Sequence, residues 1–192
     1  SYPCQRCAKL RYEFIPKTEP VDTWKNPYRD VRSNAWYYED VAYVTRGGLM
    51  VGTSTLTFSP AEEMSRAMLV AVLHRLAGSP SVSGKMPFTD VEADTWYTEA
   101  VLWAYQNDIV AGTSDTTFEP LSNITREQIV AIFSRYTAKF APDKAKAAAE
   151  LTAFADSASV SDWAVNDMKW AVAQKIISGS ENAGKFYLLP QD

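Results

Sequence analysis

Histidine and cysteine are nearly missing from this chain of 192 residues: His74 is the single histidine, and Cys4 and Cys7 are the only cysteines. A closed structural zinc site needs four ligands, and this sequence offers three Cys or His at most. The Cys4-x-x-Cys7 spacing fits half a zinc knuckle, a small disulfide loop or the tail of a preceding module. Thioredoxin-like chemistry wants the motif at the start of a helix behind a buried strand, whereas Tyr2 and Pro3 precede it here, so it reads as a terminal pair without catalytic duty. His74 stands in the apolar run from Met68 to Leu76 and reads as a residue at the core boundary, not as a base. Positive charge is not in excess either. The 19 Lys and Arg against 23 Asp and Glu leave a net charge of −4, which excludes the basic surface that non-specific nucleic-acid binding requires. No apolar run approaches the ~20 residues that span a bilayer, so membrane insertion is not expected. Also absent are Gly-x-Ser-x-Gly, a phosphate loop and a paired set of carboxylates. Glu92, Asp94, Glu99, Asp108 and Asp115 are scattered over loops and polar faces. Catalysis is therefore not expected within these residues, nor is a cofactor or a metal.

What the chain does contain is a repeat. Asp30-Val31 recurs as Asp90-Val91, Trp36-Tyr37 as Trp96-Tyr97, Gly52-Thr53-Ser54 as Gly112-Thr113-Ser114, Phe58-Ser59-Pro60 as Phe118-Glu119-Pro120, and Ser65-Arg66 as Thr125-Arg126, each at an offset of 60. A third copy follows 66 or 67 residues later, with Asp156, Trp163 and Gly179 in the corresponding places; the Trp-to-Gly distance is 16 in all three.

Each copy reads as helix, loop, helix. Asn34, Asp94 and Ser161 stand two residues before the tryptophans and are favoured N-cap types. The pairs Val41/Val44, Val101/Ala104 and Met168/Ala171, continued by Leu49, Ile109 and Ile176, give the first helix one apolar face. Gly52, Gly112 and Gly179 suit a chain reversal with positive φ. The second helix starts at Ser65 or Thr125, with Gln128 completing a capping box in the second copy. No copy is large enough to bury its apolar face alone, so the copies must pack on one another.

The order F-T-D-V with W-Y (Phe88 to Val91, Trp96, Tyr97), then I-V-A-G-T-S-D-T-T-F-E-P (Ile109 to Pro120), then I-T-R-E-Q (Ile124 to Gln128) resembles the S-layer homology module family. The first copy matches through Trp36-Tyr37, Gly48 to Ser54 and Met64 to Ala67. The resemblance implies an all-α fold of three tandem helix-loop-helix repeats in a pseudo-threefold bundle, with glycan grooves between neighbouring copies. It also implies an extracellular module at the bacterial cell surface that binds pyruvylated secondary cell-wall polysaccharide and holds surface proteins on the envelope. The alternative is a structural or protein-interaction subunit of an extracellular assembly. On this basis residues 1–26 are a leader carrying the C-x-x-C, 27–80 the first copy and 81–141 the second. An Ala/Lys-rich connector spans 142–153, and 154–192 form a partial third copy.

Arg66 and Arg126 occupy the first position of their helices, where the helix dipole favours Asp or Glu. A guanidinium there, beside free backbone N–H groups and the hydroxyl of Ser65 or Thr125, makes a compact anion site. The competing use is a salt bridge, from Arg66 to Glu62 or Glu63 or from Arg126 to Asp90. Trp96 and Trp163 offer flat faces for a sugar, although a tryptophan in the first turn of an amphipathic helix is usually core. Asp90 braces a turn or binds ligand hydroxyls, and Gly52 and Gly112 set backbone geometry and permit close approach of a ligand. In the third copy Leu188-Leu189-Pro190 ends eleven residues after its glycine, three more than in the other copies. Adding the five-residue spacing to Pro190 puts the third cap at 195, beyond Asp192. The third repeat is therefore expected to lack its second helix. A missing C-terminal helix is favoured over completion by a neighbouring chain or by the segment Leu10 to Ile15.

Overall fold

The computed structural model describes residues 24–192; Cys4, Cys7 and the segment Leu10 to Ile15 lie outside that range. It is a helical repeat domain of five α-helices with one small hairpin: α1 (Tyr38–Arg46), α2 (Arg66–Leu76), α3 (Thr98–Gln106), α4 (Arg126–Phe140), α5 (Val165–Ala173), β1 (Ser180–Asn182) and β2 (Lys185–Tyr187). These elements fall into two compact units. One takes residues up to Glu62 with Val72–Ser79, the other Glu63–Ala71 with Pro80–Asp192.

The first helix of each copy starts later than its cap-like residues suggest. α1, α3 and α5 begin at Tyr38, Thr98 and Val165, with Tyr37, Tyr97 and Ala164 at the cap position and no side-chain cap. Asp94 has φ +58°, outside the extended conformation an N-cap needs. Only Ser161 flanks helical structure, a single 3-10 turn over Asp162–Ala164 ahead of α5. The tryptophans therefore sit on the turn before the helix and not in its first buried turn. Trp36 is 88% exposed and Trp96 and Trp163 are each 55% exposed, which overturns their expected place in the core. Trp103 and Trp170, seven residues after Trp96 and Trp163, are by contrast buried.

One carboxylate braces the loop of every copy. Asp30 accepts from the Phe58 and Ser59 N–H groups (2.9 and 2.7 Å), Asp90 from those of Phe118 and Glu119 (2.9 and 2.7 Å), and Asp156 from those of Leu188 and Leu189 (2.7 and 2.8 Å). Ser59, Glu119 and Leu189 all hold φ between 52° and 59°, a conformation that L residues adopt only when their surroundings impose it. Two charge-assisted bonds from one carboxylate supply that constraint. An aromatic ring two residues before each aspartate lies against the glycine of the loop. A Cβ on Gly52, Gly112 or Gly179 would come within 2.8 Å of Tyr28, 2.8 Å of Phe88 or 2.7 Å of Phe154 respectively. Gly52 and Gly179 do have positive φ, but Gly112 does not. At Gly112 the requirement is close approach, since an added Cβ would overlap the carbonyl oxygens of Ser114 and Thr117.

In the first unit Tyr28, Val31 and Val41 form a buried cluster under Trp24, Tyr38 and Phe58. His74 is buried here, deeper than the boundary position expected. In the second unit α4 packs on α5. Val130 of α4 meets Met168, Trp170 and Ala171 of α5, with Phe154 and Leu188 closing the cluster. Ile176 departs from the apolar pattern and is 46% exposed. The third loop, three residues longer than the other two, contains the hairpin. Asn182 pairs with Lys185 around a two-residue turn, Ala183-Gly184, both with positive φ, as a tight turn between twisted strands requires.

Candidate functional site

The second unit contains a groove of about 420 Å³ whose walls include Arg66, Gly112, Thr113, Gln128, Arg135 and Trp163. Arg66 opens α2, and the first turn of that helix is fully occupied. Its own N–H donates to Ser122 O (3.0 Å), that of Ala67 to Pro120 O (2.9 Å), and that of Met68 to Ser65 Oγ (3.3 Å). α4 repeats the arrangement. The Arg126 N–H donates to Asp192 O (2.7 Å) and that of Glu127 to Pro190 O (3.0 Å), while Thr125 and Gln128 form the expected capping box. The free backbone N–H groups expected beside each arginine are therefore absent, because carbonyls of the following loop already accept from them. Any anion held here is held by side chains.

Arg66 is suited to that. Its side chain is buried, 6% exposed, with Nε donating to Phe118 O at 2.9 Å and its guanidinium carbon 4.8 Å above the Phe118 ring. Nη1 and Nη2 make only long contacts, 3.5 Å to Gln128 Oε1 and 3.4 Å to Ala111 O. A guanidinium carries five donors, so the Nη edge retains most of its capacity. Burial lowers the pKa of Arg66 and Arg135 adds to this, while Glu119 and Asp90 oppose it; an arginine remains cationic near neutral pH all the same. The only ion pair among the described residues joins Lys169 to Glu150. Neither Arg66 nor Arg126 takes the carboxylate partners Glu62, Glu63 or Asp90.

Of the residues singled out from the sequence, Arg66, Gly112 and Trp163 come together on this groove. Ser65 is buried as a helix cap, and Thr125 caps α4. The Asp90 carboxylate is engaged by backbone. Trp96 stands edge-on to Tyr97 at 5.0 Å, and Gly52 belongs to the turn of the first unit. Arg126 is half-buried at the start of α4. Sequence reasoning passed over Arg135 and the second use of Gln128. The signal was present: Gln128, Ala131, Ile132 and Arg135 follow one another at the spacing of a single helix face, and all four line the groove. Glu127 was missed as well. It is 3% exposed, and its carboxylate accepts from Ser161 N (3.0 Å), Ser161 Oγ (2.9 Å) and Gln191 Nε2 (2.8 Å).

The groove lining contains no Asp, Glu, His, Cys or Ser, so it offers two cations, an amide, a threonine and an aromatic face, without a carboxylate pair for glycoside hydrolysis. Among the described residues no group of three His, Cys, Asp or Glu could hold a metal ion. No helix among them is long and apolar enough to cross a membrane.

Three stretches of the chain, residues 27–67, 87–130 and 153–187, match the S-layer homology domain, and together they cover more than half of it. A surface-layer 125 kDa protein of Lysinibacillus sphaericus is 32% identical over 79% of this chain and 12% of its own length. An endoglucanase of Bacillus sp. (strain KSM-635) is 29% identical over 80% of the chain and 16% of its own length. An exoglucanase XynX of Acetivibrio thermocellus is 26% identical over 79% of the chain and 14% of its own length. The chain thus spans less than a fifth of each of these relatives.

Proposed function

The chain belongs to the S-layer homology domain family, whose members are non-catalytic cell-wall anchoring modules of S-layer proteins and surface enzymes, and we propose that it binds an anionic, pyruvylated secondary cell-wall polysaccharide through the Arg66 groove. The observation that carries this reading is a buried guanidinium with no carboxylate partner, its Nη edge underused, beside a second arginine and a half-exposed tryptophan. A ketal-linked pyruvate presents a carboxylate for the guanidinium, and the adjoining sugar ring presents a flat C–H face for Trp163. The negative net charge of the protein does not oppose this, since charges beyond ~8–10 Å are largely screened at physiological ionic strength. The repeat boundaries 27–80, 81–141 and 154–192, with 142–153 as connector, are part of the same proposal.

The test is retention on purified cell-wall polymer before and after its pyruvate is removed by mild acid. Binding is expected to need the pyruvate and to fall at least tenfold in Arg66→Ala and in the surface variant Arg135→Ala, with helix content checked by circular dichroism. Equal retention of the depyruvylated polymer defeats the reading. Capture of a protein partner in place of polymer would support an assembly subunit instead.

A further inference from the structure

Of the described residues that line the Arg66 groove, Trp163 alone comes from the third copy. Its turn is built differently from those of the other two. Trp36 and Trp96 follow their bracing aspartates by six residues, and each is followed by a tyrosine. The tyrosine ring stands edge-on to the tryptophan, at 5.4 Å for Tyr37 and 5.0 Å for Tyr97. Trp163 follows Asp156 by seven residues, and the next residue is the fully buried Ala164. The tyrosine brace is therefore missing, and a carboxylate from α4 holds the turn instead. Glu127, 3% exposed, accepts from both donors of Ser161, the N–H at 3.0 Å and Oγ at 2.9 Å, and from Gln191 Nε2 at 2.8 Å. The Ser161 carbonyl in turn accepts from the Ala164 N–H at 2.8 Å, closing the 3-10 turn Asp162–Ala164 that carries Trp163. Gln128, the residue after Glu127, lines the same groove. The second copy has no such clasp. Ala67 takes the place of Glu127 and Asp94 that of Ser161, and Asp94 lies at φ +58°.

We infer that Glu127 is a positioning residue of the groove: through Ser161 it fixes the turn that presents Trp163 to a ligand held at Arg66. Glu127 is buried away from the groove and is not among its lining residues, so it acts through Trp163 and not by contact. The inference rests on the anionic-glycan reading of the Arg66 groove and adds the device that sets one of its walls. Bonds to an ionised carboxylate are the stronger kind, and two of them on one residue fix its direction as well as its place. A wall set before the ligand arrives saves the cost of ordering it on binding. The clasp also ties copies together, since a residue of the second copy decides where the aromatic face of the third one stands.

Two measurements on the full chain test this, in Glu127→Gln, which keeps the volume but turns one arm of the clasp into a donor, and in the milder Ser161→Ala. The first is the fluorine NMR spectrum of protein labelled with 5-fluorotryptophan, the Trp163 signal being assigned by its loss in Trp163→Phe. The Trp163 signal is expected to shift or broaden in both variants, while those of Trp96 and Trp103 stay in place. The second is calorimetric titration with a methyl hexoside bearing a pyruvate ketal. Its affinity is expected to fall about fivefold in Glu127→Gln and less in Ser161→Ala. Made on top of Trp163→Ala, Glu127→Gln is expected to change the affinity by less than about twofold, as it must if it acts through the tryptophan. A Trp163 signal unmoved in Glu127→Gln overturns the positioning role and leaves the anion site standing. So does a loss of affinity that persists in full without Trp163, which is what a merely structural role would give. If the unaltered protein does not bind the probe, the glycan reading of the groove falls and this inference falls with it.

Discussion

Arg66 and Arg126 occupy the same place in the same motif sixty residues apart, with the same backbone around them and different side-chain surroundings. Both helices begin behind a hydroxyl cap, and both pass their first two N–H groups to the carbonyl of a proline and of the residue two beyond it: Pro120 and Ser122 for α2, Pro190 and Asp192 for α4. Arg66 is then buried against Phe118, Ala111 and Gln128, whereas the Arg126 guanidinium, half-buried, has no partner among the described residues. The next residue differs as well. Ala67 is fully enclosed, while Glu127 in the equivalent place spends its carboxylate on Ser161 and Gln191. The short motif thus sets how a helix starts, and the side chains around it decide whether its arginine becomes part of a cavity.

Exchanging the residue after the arginine between the two helices has the largest expected effect. Ala67→Glu puts a carboxylate where nothing is exposed. The residues matching Ser161 and Gln191 in the second copy are Asp94 and Leu121, neither of which can donate a side-chain hydrogen bond. An uncompensated buried charge of this kind costs about 3–5 kcal/mol, a loss to be read from denaturant unfolding. The reverse change, Glu127→Ala, leaves the Ser161 and Gln191 donors without their acceptor. It is expected to cost less, about 2 kcal/mol, because both residues are partly open to water.

A smaller effect follows from the aspartate braces. The Phe58 N–H, aided by that of Ser59, holds Asp30 below the ordinary carboxylate range against the opposing pull of burial. The folded form therefore binds its proton less readily than the unfolded chain does. The stability this gives is fully present above the ordinary carboxylate value and is lost as pH falls through the lowered folded value. Stability measured from pH 6 down to pH 2 should decline less steeply in that acid range in Asp30→Asn than in the parent. Parallel acid limbs in the two proteins would show that the brace contributes nothing that depends on charge.

Much of this was legible in the repeat. The order of helices, the Thr125 capping box and the apolar pairs Val101/Ala104 and Met168/Ala171 follow from local pattern, because caps and helix faces are decided by neighbours three or four residues away. The tryptophans were misjudged because burial depends on where the helix starts, and Asp94 in the left-handed region moves that start past Trp96. The Arg66 site was half visible. The arginine stood out at a dipole-disfavoured position, but its occupied N–H neighbours and its contacts with Ala111, Phe118 and Gln128 join residues 45 to 62 apart. No local spacing encodes those contacts.

The least destabilising change is the most informative about the two arginines. Arg126→Ala removes a half-buried guanidinium that makes no hydrogen bond or ion pair among the described residues, so unfolding should shift by no more than about 0.5 kcal/mol. Arg66→Ala takes away a short bond to Phe118 O and the packing of the guanidinium over the Phe118 ring, for an expected loss of about 2 kcal/mol. If each arginine serves an anion site of its own, Arg126→Ala will lower retention on cell-wall polymer with its stability intact, and the loss of avidity will exceed that expected from either site alone. If retention depends on the walls as much as on the arginine, Arg126→Ala will bind polymer as the parent does. The Arg66 groove, walled by Gln128 and Arg135, then accounts for the binding by itself.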